Sequence, residues 1–218
     1  MGPVGLQSRL HSLPSLHHQH RPHSGWVFGY TIGSGGALTA ASGSPWQAGI
    51  KPSAIAADPT SRFVYITDFA SSEMIGYSFQ SGRVLDFLID GPFPTGNEPA
   101  AITIDPRGKY IYVADSLDNK VSAYTIDVST GNPTGVTNIT GSAANTTDTQ
   151  PLAILVDAAL GRFVYTANRL GDDISGFEIN TDTGAMSPTV ATPYPAGASP
   201  AAIISVPHGN HAIETTVP

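Results

Sequence analysis

The sequence predicts an all-β fold: a β-propeller of four-stranded antiparallel blades, about four blades' worth, forming an open or partial ring. Three observations carry that expectation. First, a unit running from Pro52 to Asp68 returns from Pro99 to Asp115 and from Pro151 to Asn168, and a degenerate copy starts at Pro200. The leading prolines stand 47, 52 and 49 residues apart, a spacing that signals a repeat architecture. Second, each unit holds strand-length segments rich in β-branched and aromatic residues, with turn signals between them. Third, the segments at 63–66, 110–113 and 163–166 are apolar on both alternating faces. A half-buried strand alternates apolar with polar residues. These sheets therefore need cover on both sides, and neighbouring copies packed face to face around an axis supply it.

In chain order, residues 1–24 stand outside the repeat. They hold His11, His17, His18, His20 and His23 and no periodic apolar pattern, so a disordered His-rich leader is expected. The His17-His18-Gln19-His20 stretch has the ligand type for loose divalent-metal binding. The repeat domain, 25–218, divides into a partial unit at 25–50, whole units at 51–98, 99–150 and 151–199, and a partial unit at 200–218. The first strand of a whole unit is Ala54–Ala57, matched by Ala101–Ile104 and Ala153–Val156. The second is Phe63–Ile66, matched by Tyr110–Val113 and Phe163–Thr166. The third is Met74–Phe79, matched by Val121–Ile126 and Ile174–Ile179, and a weaker fourth is Val84–Leu88.

Asp58, Asp105 and Asp157 open the turns between first and second strands, where an Asp side chain accepts from its own turn backbone. Gly131 and Gly184 mark the third-to-fourth hairpins, where glycine supplies positive φ. At the ends, Trp26–Ile32 matches a third strand and Gly36–Thr39 opens a fourth, while Ala202–Val206 matches a first strand and His211–Thr216 a second. A chain that starts and stops inside a blade either latches a ring closed or is a longer array cut at both ends.

Composition narrows the function classes. Apolar residues make up 40% of the 218, enough for a sizeable core, while 23 Gly and 18 Pro favour turns over helix. No cysteine is present, which removes disulfides, a thiol nucleophile and thiolate metal sites. The net charge of −7 argues against nucleic acid as a partner, and all 17 acidic residues lie at or after Asp58. No apolar run is long enough for a transmembrane helix, and no signal-peptide core is visible near the start. That leaves the compartment open: cytoplasmic, or secreted with a missing native N-terminus.

The Asp-Pro-x-Gly-Lys-aromatic core at 105–110 runs into Tyr112-Val113-Ala114-Asp115, and the third whole unit ends in Tyr165-Thr166-Ala167-Asn168. With Val121–Asp127, Thr183–Ser187, Gly43–Trp46 and Gly91–Phe93, this pattern resembles the lactonase-like seven-bladed β-propellers, the YVTN repeat family, over about residues 26–216. The resemblance implies hydrolysis of a sugar lactone, as in 6-phosphogluconolactonase, with the lactone as small-molecule partner and neither cofactor nor metal. The alternative is a non-catalytic propeller that binds through its rim, or a truncated fragment. Seven blades at this spacing need roughly 350 residues, so the present units imply an arc whose exposed blade faces favour self-association.

Comparing the copies singles out site candidates. The residues before the leading prolines, Lys51, Glu98, Gln150 and Ser199, lie on the approach to the innermost strand, near the channel mouth. The loop after the second strand contributes Asp68, Asp115, and Asn168 with Arg169. Lactone opening needs an acid or base and a cation for the developing oxyanion. Glu98 with Lys51 or Arg169 supplies that pair, and Asp68, Asp115, Gln150 and Asn168 are channel-mouth binding candidates. The alternative for all of these is solvated loop polarity. Arg62, Lys109 and Arg162 occupy equivalent turns and are expected on the opposite rim, with His208 and His211 at the surface beside the same turn of the last copy. Asp115 to Asn119 offers close-set oxygen ligands but lacks the glycine and terminal Glu of a calcium loop, which favours a strand connection capped by Asp. Asn138 and Asn145 fit the glycosylation pattern.

Overall fold

A computed structural model describes residues 25–79, 85–136 and 145–205. The histidines of the leader, Val84, Asn138, His208 and the second-strand match at His211–Thr216 lie outside the described residues. Eighteen strands and no helix run through the described chain.

The strands form antiparallel sheets in sequence order. β1 (Trp26–Val27) pairs with β4 (Trp46–Gln47), and β2 (Tyr30–Ile32) with β3 (Leu38–Ala40), giving the third- and fourth-strand half of a sheet. The next sheet is β5 (Pro52–Ala57), β6 (Phe63–Asp68), β7 (Glu73–Phe79) and β8 (Leu85–Phe87), with β9 (Phe93–Pro94) also on β7. It is followed by β10 (Pro99–Ile104), β11 (Tyr110–Asp115), β12 (Lys120–Ile126) and β13 (Pro133–Gly135). The last is β14 (Pro151–Val156), β15 (Phe163–Asn168), β16 (Asp173–Ile179) and β17 (Met186–Pro188), with β18 (Tyr194–Pro195) on β16. The four expected strands per whole unit are present, and β9 and β18 add a short return of the chain onto the third strand. Ala202–Ser205, which match a first strand in sequence, carry no strand here.

The doubly apolar second strands do what their pattern requires. β6 and β11 are buried along their whole length. One face of the β5–β8 sheet, with Val64, Ile66 and Tyr77, packs on Val27, Trp46 and Ala48 of the half-sheet. Its other face, with Phe63, Tyr65 and Met74, packs on Ile102, Ile111, Val113 and Tyr124. Tyr110, Tyr112 and Val121 then pack on Val156, Val164 and Phe177. Each aromatic ring contributes some 150–250 Å² of buried surface to these face-to-face cores. Tyr65 and Tyr112 also reach across the interface, donating to the carbonyls of Gly131 at 2.6 Å and Gly184 at 3.1 Å in the next sheet's hairpin. The first strands are innermost, with β10 lying between β5 and β14. The result is a partial β-propeller.

Candidate functional site at the inner rim

Each first strand opens with proline, which has no N–H to give the ladder, and its pairing slips by one residue there: between Pro52 and Ala54, Pro99 and Ala101, Pro151 and Ala153. The bulge turns the residue before the proline toward the rim. Glu98, Gln150 and Ser199 sit at φ of 54°, 60° and 53°, a left-handed conformation that costs a non-glycine residue free energy. It is held by hydrogen bonds on both sides of the peptide. The carbonyls of Lys51, Glu98 and Gln150 accept from the N–H groups of Phe69, Ser116 and Arg169 at 2.9, 3.0 and 2.9 Å. The N–H groups of Gln150 and Ser199 donate to Asn119 Oδ1 and Asp172 Oδ1, in the turns between second and third strands, at 2.8 and 2.7 Å, and Glu98 N–H points to Ser72 Oγ at 3.4 Å. Ser72, Asn119 and Asp172 are themselves left-handed. They form a column that composition and motif searching pass over; the signal was there in the repeat, as a short polar residue four places after Asp68, Asp115 and Asn168.

The second strands end in a buried polar residue whose role differs by unit. Asp68 accepts from the N–H groups of Ile50 at 2.7 Å, Lys51 at 2.9 Å and Ala70 at 3.1 Å, and from Ser71 Oγ at 2.9 Å. Burial pushes its carboxyl up, but these donors outweigh burial and hold it below the ordinary carboxylate range. Asp115 accepts from Ser122 Oγ at 2.5 Å, while its Oδ1 is buried with no hydrogen-bond partner. Burial lifts its carboxyl to about 7, with Ser122 opposing and the charge of Asp118 adding. Asn168 donates to Asp173 Oδ1 at 2.6 Å and Ser175 Oγ at 2.8 Å.

Residues 39–210 match the model of the family described as "Lactonase, 7-bladed beta-propeller". The chain belongs to this lactonase family. Among solved structures it is similar to a protein from Lactobacillus plantarum, at 15% identity and a TM-score of 0.65 over 81% of this chain and 51% of that one. It is similar also to a proposed 6-phosphogluconolactonase of Bacteroides uniformis (19% identity, TM-score 0.64, 79% and 52% of the two chains). A periplasmic gluconolactonase of Pseudomonas aeruginosa aligns at 20% identity and a TM-score of 0.62, over 79% and 49%. The chain thus spans about half the length of these structures. No curated protein sequence matches it.

In this lactonase-family propeller the sequence-predicted residues are distributed as follows. Asp68, Asp115 and Asn168 are fully enclosed. Glu98 and Gln150 are half-buried on the rim, and Lys51 and Arg169 are exposed there. Lys51 Nζ lies 4.2 Å from the centre of the Phe69 ring. Among the described residues the ion pairs are Arg62–Asp58, Arg107–Asp105 and Arg162–Glu178, so Glu98 is not in direct contact with Lys51 or Arg169. The rim therefore carries a carboxylate before β10, a cation before β5 and another after β15. Arg62 and Arg107 turn back onto the aspartates of their own turns. Arg62 also donates to the Val128 carbonyl of the next unit's hairpin, which places it at the end away from the leading prolines.

Proposed function

We propose that the inner rim hydrolyses a sugar lactone. Glu98 takes a proton from the water that attacks the lactone carbonyl, and Lys51 or Arg169 meets the charge that grows on the carbonyl oxygen. The acyl C–O bond of the ring then breaks, and the ring oxygen leaves with the proton returned by Glu98, giving the open hydroxy acid. One observation carries the reading: Lys51, Glu98 and Arg169 stand at the rim ends of three consecutive sheets, before β5, before β10 and after β15, with the carboxylate at the middle one. Family membership supports the reaction class.

The test is acid release from aldonolactones, with and without a phosphate, followed at constant pH. Glu98→Gln should lower the rate at least 100-fold, and Lys51→Ala or Arg169→Ala by a smaller factor. Wild type at the spontaneous rate on every lactone would end the enzymatic reading.

A second reading, a non-catalytic propeller that binds through this rim, has its own support. Asp68 and Asn168 are committed to scaffold hydrogen bonds, and Leu117 and Leu170 are exposed on the loops that follow Asp115 and Asn168. Under that reading calorimetry detects binding of a neutral sugar or peptide that Leu117→Ser abolishes, with no turnover.

A further inference from the structure

The connections that lead into the first strands take two forms within the same chain. Before β5, Gly49 is left-handed at a φ of 85° and Lys51 is not. Before β10 the roles are exchanged: Glu98 is left-handed at 54° and Gly96 lies outside that region. Both glycines rest on the carboxyl that ends the second strand. A Cβ on Gly49 would stand 2.2 Å from Asp68 Oδ2, and one on Gly96 2.5 Å from the carboxyl carbon of Asp115. A side chain would collide there, and glycine takes either sign of φ at little cost.

Each form has its own hydrogen bonds. Before β5, the N–H groups of Ile50, Lys51 and Ala70 all donate to Asp68. Their counterparts Asn97, Glu98 and Leu117 all go elsewhere. Asn97 N–H donates to Asp118 Oδ2 at 2.8 Å, Leu117 N–H to the Asn97 carbonyl at 3.3 Å, and Glu98 N–H reaches Ser72 Oγ at 3.4 Å. Asp115 is fully buried, and its Oδ1 has no hydrogen-bond partner. Three equivalent donors thus have two sets of acceptors, one set realised in each of two neighbouring sheets.

Charge on the carboxyl decides which set is stronger, because an ionised carboxylate binds an N–H group more tightly than a neutral acid does. Burial lifts Asp115 to about 7, with Ser122 opposing and Asp118 adding. The other titratable groups around it are Lys120, opposite it on β12, Glu98 on the connection, and the Tyr124 phenol, which burial and the charge of Asp115 both raise. Ser72, reached by Glu98 from the preceding sheet, and Gln150, which donates to Asn119 from the next connection, carry no charge.

We propose that Asp115 is a positioning residue whose ionisation switches the connection at 96–98 from the form seen before β10 to the form seen before β5, taking Glu98 out of its left-handed conformation and re-aiming it at the rim. In the switched form Asn97, Glu98 and Leu117 donate to Asp115 beside Ser122 Oγ, matching the four donors at Asp68. The partly exposed Asp118 takes water in exchange, and the backbone cost at Glu98 is relieved. The third unit lacks both parts of the device: Asp148 stands in place of the glycine and Asn168 in place of the acid. Gln150 therefore stays left-handed at any pH. The inference is independent of lactone hydrolysis.

Amide NMR of the whole chain from pH 4 to pH 9 tests it. The N–H resonances of Asn97, Glu98 and Leu117 should titrate together, with one midpoint at or somewhat below about 7, since the donors gained favour the ionised form. Above that midpoint, hydrogen exchange at Glu98, corrected for its intrinsic pH dependence, should slow at least 10-fold. The strong N–H to Hα cross-relaxation that marks a left-handed residue should vanish at Glu98 and persist at Gln150. Asp115→Asn should abolish the joint titration and keep Glu98 left-handed throughout. Asp118→Asn, which weakens the rival acceptor and leaves Asp115 in place, should preserve the titration and lower its midpoint. A wild-type Glu98 that is left-handed at both ends of the range, or a joint titration that survives Asp115→Asn, would overturn the proposal.

Discussion

Asp68 and Asp115 occupy the same register position in neighbouring sheets and have opposite electrostatics. The difference lies in the competition for two backbone N–H groups. In the earlier unit Ile50 and Lys51 donate to Asp68. In the later one the equivalent N–H of Asn97 is taken by Asp118 Oδ2 at 2.8 Å, and that of Glu98 faces Ser72 Oγ. Asp115 is left with the Ser122 hydroxyl and lesser help from the Gly96 and Ser122 N–H groups, and its Oδ1 has no hydrogen-bond partner. A buried carboxylate whose donors outweigh desolvation is stabilised as the anion, and one whose donors fall short of it is pushed toward the neutral acid. The third unit avoids the conflict, because Asn168 carries no charge and donates to Ser175, the counterpart of Ser122. One repeat position thus holds a stabilised carboxylate, a destabilised carboxyl and an uncharged amide in three successive copies.

The largest expected effect breaks the favourable case. Asp68→Ala takes the acceptor from three backbone N–H groups and should destabilise by about 3 kcal/mol or more, read from urea unfolding. Asp68→Asn should recover only part of this, since an amide has one accepting oxygen and turns an N–H2 toward the remaining donors.

The second sharpens the unfavourable case. The folded pKa of Asp115, about 7, lies above the unfolded value of about 3.9, so the folded state holds a proton the unfolded state has released. Its contribution therefore falls as pH rises from 4 to 7 and levels off above. Asp68 contributes in the opposite sense: its stabilisation is present above pH 4 and is lost as pH drops toward its lowered folded pKa. Asp115→Asn should stabilise by about 1–3 kcal/mol at pH 8, with little effect at pH 4. Denaturation midpoints across that range would check it; an equal change at both ends of the range would refute the assignment.

A smaller effect tests whether the like charge of Asp118 matters. Asp118→Asn should lower the pH at which Asp115 titrates by a fraction of a unit, followed by carboxyl NMR. The smallest concerns the inter-sheet tyrosines. Tyr112→Phe should cost about 1 kcal/mol through the lost bond to Gly184, whereas Tyr165→Phe should cost less, since its hydroxyl meets no such carbonyl among the described residues.

The sequence by itself determined the architecture. Its period, the doubly apolar Phe63–Ile66, Tyr110–Val113 and Phe163–Thr166, and the Asp-headed turns are local or short-range signals, and each maps onto a strand or turn of the structure. It also marked the rim positions Lys51, Glu98 and Arg169, because comparing copies separates repeated residues from varied ones. Only the tertiary structure decided what the polar ends of the second strands do. Their partners come from the preceding connection, 17 or 18 residues back at Asp68, and from side chains such as Asp118 that compete for the same donors. Burial, which pushes each carboxyl up against the pull of its donors, depends on sheets packed from residues up to 72 positions apart. Periodicity encodes which face of a strand is covered. It does not encode which of two oxygen acceptors reaches a given N–H first, since that depends on loop geometry fixed by the assembled fold.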